Sequence, residues 1–448
     1  MPLVPVPRAS LPVTLLRALR IVISADSDPA RQVLFKNLMN ARIDVRLAFA
    51  CYRAIAGTRP AAALVSLYGL AYWLRIGLPR VPTARVWSVA KHVNARRQVE
   101  RVSSWVGAED CSAVVIGTSG APGRLRSLLA PSSWRGIRRA LRVLHRIERR
   151  HEFLVGCRAA AAIAWYVRSK AMFARHRPGA VLVSSDSNPE EVGFTAAARA
   201  MDIPRVFVAH AYPTPFSPPL DFSLSVLEGA AAVDARERRG PIRGAVVFCG
   251  VEGESVPLDA SRILRPSPVI GIFTPKAVSW PTLTAVVAEC RGRFKPSRIV
   301  IRWHPSRLDA ARRLHLVGDV SAIEETSPQA SLQEVANRCD WVIADENSNV
   351  HLPVLKLGIP TVAVKRMGLY PESRSDMYGF AASGVIFPPV VSIQDVSTQA
   401  FQAFFGEGWV DRFRRYDAAY MRAPQDVSAS VRTAVRALFE RTEGALRA

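Results

Sequence analysis

Three short stretches of this 448-residue chain combine residue types able to hold an anion and move a proton. In the first, His304 and Pro305 stand between Arg302 and Arg307. An imidazole N–H can donate to a phosphate oxygen, proline fixes the turn and presents the next helix N-terminus, and two guanidinium groups add positive charge. The second is Asn347-Ser348-Asn349, short polar side chains ahead of a helix whose opening N–H groups have no intrahelical acceptor. The plain alternatives are a structural histidine and simple helix capping. Asp345 and Glu346 precede that loop, and carboxylates beside a phosphate would repel it. They are expected to face sugar hydroxyls or to pair with Lys365 and Arg366.

The third stretch supplies candidates for acid–base work. His210 follows the run RVFVA, and Asp186 and Glu190 follow AVLVS. Deprotonating a hydroxyl requires a positioned imidazole or carboxylate. For His210 the alternative is a buried ring bonded to backbone.

Each candidate sits where an apolar run ends, so the positioning elements are strands. From Ala180 the sequence reads strand, helix, strand: Ala180 to Ser184, Pro189 to Met201, Arg205 to Ala209. Ser187 or Asn188 can cap that helix, with Pro189, Glu190 and Glu191 in its first turn. A second series starts at Pro268. It has strands at Val269 to Phe273, Arg298 to Trp303, Trp341 to Ala344 and Pro360 to Val364, with helices between them. Short apolar strands alternating with helices build parallel sheets, and open α/β sheets bind ligands at the carboxyl ends of their strands. Between Arg17 and Arg177 the pattern is mostly helical, with one strand-like run from Ala113 to Gly117, and helices return after Phe387. At least one of these last helices is expected to pack back across the junction. The length and the composition change imply an N-terminal domain over 1–245, a second over 246–405 and C-terminal helices over 406–448.

Charge is divided unevenly. The chain carries +23, of which the first 245 residues hold +20. A cationic field attracts polyanions or anionic membrane. No zinc-finger spacing or RNP-like aromatic motif accompanies it, so nucleic acid is not the expected partner. A membrane surface or an anionic lipid-linked substrate fits better. The segment Arg135 to Arg150 has seven arginines around one apolar stripe, either a solvated helix face or an anion-binding one. Pro60 to Pro79 is interrupted by Arg75, which favours a buried or interfacial helix over a membrane span. Six cysteines without CxxC pairs and no signal-peptide cleavage site imply a cytoplasmic protein, peripheral on the inner membrane.

The pieces IRWHPS, WVIADENSNVHLPVLKLGIPTVAV and the YG of MYGF resemble the nucleotide-binding half of bacterial GT-B glycosyltransferases of surface polysaccharide assembly. That group includes sialyl- and polysialyltransferases, capsule Kdo transferases and CDP-glycerol polymerases. The resemblance covers about 200 residues, from Ala180 to Pro388, and rests on motif order. It implies an α/β, GT-B-like fold, with two Rossmann-type domains facing a central cleft, a helix-rich N-terminal region and C-terminal helices. It also implies a CMP-linked nucleotide-sugar donor bound by His304, Pro305, Asn347, Ser348 and Asn349, with no cofactor or metal. The stretch IPRVFVAHAYP is similar to a QHG-type strand exit, with Ala209 in place of Gln and Ala211 in place of Gly. Two other readings stand beside the transferase: a sugar-nucleotide epimerase, against which the basic first half argues, and a non-catalytic partner in capsule assembly.

Overall fold

A computed structural model describes residues 83–90, 93–114, 153–186, 188–213, 217, 219–275, 278–304, 322–327, 330–368 and 375–447, with backbone alone for 93, 153–160 and 439–447. Pro60 to Pro79, Arg135 to Arg150, Pro305 and Arg307 lie outside the described residues.

The first sheet has six parallel strands: β1 (Val86–Val89), β2 (Cys111–Ala113), β3 (Ala180–Val183), β4 (Arg205–Val208), β5 (Asp221–Leu227) and β6 (Arg243–Phe248). Their spatial order is β2-β1-β3-β4-β5-β6. Strand β3 is buried at all four positions, as expected for a central strand covered on both faces, whereas β6 at the edge is largely exposed. Helices α1 (Val93–Val106), α2 (Phe153–Arg175), α3 (Pro189–Arg199) and α4 (Ala230–Glu237) flank this sheet. On one face Trp87, Phe173, Phe194, Phe207 and Phe222 form an aromatic core with α2 and α3.

The second sheet has β7 (Val269–Phe273), β8 (Arg298–Arg302), β9 (Ile323–Glu325), β10 (Trp341–Asp345) and β11 (Thr361–Val364), all parallel, in the order β11-β10-β7-β8-β9. With β7 as first strand this is the doubly wound Rossmann order, and its topological switch point lies between β7 and β10. Helices α5 (Trp280–Phe294), α6 (Leu332–Ala336) and α7 (His351–Lys356) belong to this half. After it come α8 (Thr398–Phe404), α9 (Trp409–Arg414) and α10 (Pro424–Arg447).

The chain crosses between the halves twice, at Cys249–Val251 and again after α9. Helix α10 then packs on the first sheet, where Val427, Val431 and Val435 meet Val99, Val102, Leu224 and Val226. A helix therefore does return across the junction. Two Rossmann-type domains face one another, joined by an apolar cluster in which Tyr212 from the first meets Phe380, Trp409 and Tyr416.

Three expectations need correction. The boundary at 245/246 falls inside β6, which is hydrogen-bonded to β5, so the first sheet runs to Phe248. Among the described residues the stretch before Arg177 supplies two strands, of which β2 at Cys111–Ala113 overlaps the expected run at Ala113, and residues 115–117 of that run lie outside the described residues. Both strands are too short to outweigh their helical surroundings in a periodicity reading. Strands β5 and β9 also escaped that reading. Serines interrupt the apolar run of the first, and the second is Ile-Glu-Glu, whose Glu324 binds Arg298 and Arg338 instead of reading as apolar.

Candidate active site

The second-domain residues gather at the ends of β7 and β8. Thr274 ties the two exits together: its N–H donates to the Arg302 carbonyl (3.0 Å), and its Oγ1 accepts from the His304 N–H (3.3 Å). The Arg302 guanidinium lies over the Phe273 ring, 5.6 Å from its centroid. Burial lowers its pKa, its Nε has no hydrogen-bond partner, and no carboxylate among the described residues pairs with it. Burying a cation without a counter-ion is costly, and an anionic ligand would relieve that cost. His304 is half-buried two residues on. Trp303 turns the other way, donating to Glu325 Oε2 at 3.0 Å.

Across the switch point, the exit of β10 is tightly bonded within itself. Asp345, 1% exposed, accepts the Asn347 N–H at 2.9 Å on Oδ1 and the Gly368 N–H on Oδ2. Glu346 accepts the Ser375 hydroxyl at 2.7 Å. Both carboxylates serve the loop itself, Asp345 through backbone N–H groups and Glu346 through a serine hydroxyl, where the sequence led to the expectation that they face sugar hydroxyls or pair with Lys365 and Arg366. The Asn347 carbonyl oxygen accepts the Met377 N–H at 2.6 Å, and Ser348 donates its own N–H to the Asp345 carbonyl at 2.9 Å. Asn349 hydrogen-bonds the Tyr378 hydroxyl, leaving its own Oδ1 buried and unpartnered. Beneath the loop lies His351, fully buried, with Nε2 3.0 Å from the Asp345 carbonyl and Nδ1 3.1 Å from Thr361 Oγ1. A carbonyl only accepts, so Nε2 carries the proton and Nδ1 accepts from the threonine. Burial drives its pKa down to about 4.

In the first domain, the exits of β3 and β4 meet. His210 donates through Nδ1 to the Ser184 carbonyl, which fixes the tautomer that keeps its lone pair on Nε2. The Asp186 carboxylate is ion-paired to Arg236 of α4, a guanidinium 4% exposed and seated over Phe207. Glu190 is buried in the first turn of α3. The three acid–base candidates are therefore unequally placed, Asp186 being already matched by a buried cation.

One segment links the halves. Asn347 and Glu346 hold Ser375 and Met377; Tyr378 stacks on Phe380 at 5.3 Å; Phe380 packs edge-on against Tyr212 at 5.5 Å, two residues from His210. Tyr212 donates to the Tyr416 carbonyl (3.0 Å), and Tyr416 donates to the Gly379 carbonyl (2.7 Å). Among the described residues no group of three His, Cys, Asp or Glu side chains is arranged to hold a metal ion.

Sequence reasoning passed over Thr274, Arg236, Glu228, His351, Lys356 and Asp417. Glu228 follows β5, is 6% exposed, and has its pKa raised to about 7 by burial. No local motif flags these residues, and all but His351 have partners tens of residues away. Only the position of Thr274 and Glu228 at strand exits could have drawn attention to them.

Neither a family model nor a curated protein matches the sequence. Solved structures do resemble it in fold. The UDP-N-acetylglucosamine 2-epimerase from Rickettsia bellii superposes with a TM-score of 0.47 at 11% identity, covering 79% of this chain and 95% of that one. MurG from Acinetobacter baumannii gives 0.40 at 12%, covering 78% and 99%. The glycosyltransferase SnogD from Streptomyces nogalater gives 0.40 at 13%, covering 78% and 94%. At such values their activities are not carried over to this chain, and its own side chains must carry the functional reading.

Proposed function

We propose that this protein is a GT-B-type glycosyltransferase that moves a sugar from a nucleotide-sugar to a hydroxyl acceptor. The observation that supports it is Arg302, a half-buried guanidinium with no carboxylate partner among the described residues, at the carboxyl end of a Rossmann sheet and adjoining His304. Together with Pro305, Arg307 and the Asn347-Ser348-Asn349 loop, these residues form the donor side. Arg302 and His304 stabilise the charge that develops on the departing phosphate, which is electrostatic catalysis of the leaving group.

In an inverting transfer the acceptor oxygen bonds to the anomeric carbon as the bond to phosphate breaks. The hydroxyl proton passes to His210 Nε2, whose tautomer is set by the Ser184 carbonyl. Asp186 and Glu190 line the same exits. The donor is CMP-linked, and the acceptor is a lipid-linked or polysaccharide glycan of the bacterial surface. The +20 carried by residues 1–245 fits an anionic acceptor and a place on the inner face of the membrane. Among the described residues no helix is long and apolar enough to cross it.

The test is a donor screen with purified protein and lipid-linked oligosaccharide, preceded by thermal stability measurements with CMP, UDP and CDP. A shift with one nucleotide and a glycosylated acceptor are expected, and His304→Ala should lose both. An epimerised donor with unmodified acceptor would assign the epimerase reading instead. No shift with any nucleotide would leave the non-catalytic one.

A further inference from the structure

The two chain crossings enclose a group of buried ionisable side chains that the proposed reaction does not use. Lys356 Nζ of α7 stands 2.8 Å from Asp417 Oδ2 and donates to the Val251 carbonyl at 2.6 Å. Asp417, wholly buried, receives the Ala419 N–H on its other oxygen at 3.1 Å. Arg101 of α1 holds the first crossing through the Cys249 and Gly250 carbonyls, at 3.3 and 3.5 Å. Gly250 is left-handed (φ 66°), and a Cβ there would lie 2.1 Å from Asp417 Oδ1, so the crossings are in direct contact. The Glu228 carbonyl accepts the Ala418 N–H at 3.1 Å, which joins the end of β5 to the returning chain.

Within this joint two carboxyls repel each other, and among the described residues only one has an ion-pair partner. Asp417 has Lys356; Glu228 Oε2 is buried with no hydrogen-bond partner. After burial, which raises its pKa, the groups acting on Glu228 are its own backbone N–H, Arg236 from α4 and Arg101 from α1, which favour its charge, and Asp417 from the return segment, which opposes it. Tyr212 after β4 and the Cys249 thiol of the first crossing also feel its charge. Burial outweighs the two arginines, neither of which forms an ion pair with it among the described residues, and holds its pKa near 7.

We infer that Glu228 is a proton-operated latch on the interdomain joint: protonated, it lets the end of β5 stay seated on the Tyr416–Ala418 segment, and ionised, it loosens that seat. The sign follows from linkage. The seated form holds the proton at a pH where a solvated carboxyl has lost it, so seating is strongest below the ordinary value of 4.5, weakens as pH rises from there, and has lost this contribution once pH passes about 7. An ionised Glu228 recovers hydration only if water enters between the crossings, and its repulsion from Asp417 acts in the same direction. The inference does not depend on which reaction the cleft performs.

Small-angle scattering on the full chain tests it. The wild-type radius of gyration should rise reversibly between pH 4.5 and pH 8.5, across the ordinary and the raised pKa, while Glu228→Gln, neutral and nearly isosteric, should keep the smaller value at both. Arg101→Gln removes one group that favours the charge and should move the wild-type midpoint to higher pH, which provides a second reading should Glu228→Gln fold poorly. A wild-type radius independent of pH would overturn the latch. So would a Glu228→Gln protein that follows the wild-type curve, or an Arg101→Gln midpoint that stays in place.

Discussion

Lys356 and Asp417, 61 positions apart in sequence, meet at 2.8 Å where the chain passes from one domain to the other, both almost completely buried. The lysine belongs to the second domain's last crossover helix and the aspartate to the segment that carries the chain back to the first. The pair therefore fastens the return crossing to the second domain, while the Val251 carbonyl brings the outward crossing to the same ammonium.

Replacing Lys356 by Met leaves a buried carboxylate without its cation. Breaking a buried pair from one side costs about 3–5 kcal/mol. Urea denaturation should show that loss, and the double change Lys356→Met with Asp417→Leu should regain part of it. A single variant as stable as wild type would show that the pair does not fasten the joint.

Arg302→Ala should weaken nucleotide binding about tenfold to a hundredfold, the value of a charge-assisted hydrogen bond, without lowering the melting temperature of the ligand-free protein. Removing a half-buried cation that has no carboxylate partner among the described residues relieves a cost instead of creating one. Titration calorimetry with the nucleotide that gives a thermal shift measures the first effect and a melt without ligand the second.

His210→Ala is expected to lower kcat about 10²–10⁴-fold, the usual contribution of a positioned base, with donor KM nearly unchanged. Asp186→Asn acts differently, because it strips the buried Arg236 of its counter-charge; its main effect should be on stability. A His210→Ala enzyme at wild-type kcat would return the base role to Glu190 or Asp186.

His351 supplies a pH dependence of its own. Its folded pKa of about 4 lies below the ordinary 6.5, so the unfolded chain binds the extra proton first. Its contribution is fully present above pH 6.5 and is lost as pH falls toward 4. At about 1.4 kcal/mol per unit the loss is at most about 3 kcal/mol. Melting temperature should fall over that window in wild type and less steeply in His351→Gln.

Sequence by itself determined the repetitive parts of this protein. Runs such as AVLV, VIGIF, IVI between Arg298 and Arg302, and WVIA are continuously apolar because both faces of a parallel sheet are covered, so their strands and the loops at their ends were legible. That placed Arg302, His304, Asn347 and His210 at strand exits. Strand order, and with it the switch point beside Arg302, came only from the fold, since hydrogen bonding between strands distant in sequence leaves no periodic trace. So did the matching of charges. Asp186 looks like a solvated base beside Ser185 until Arg236, fifty residues away, is folded onto it. Glu228 looks like an ordinary loop carboxylate until the returning chain buries it against Asp417. Burial and pairing set the chemistry of an ionisable group, and both are properties of contacts that only the closed tertiary structure makes.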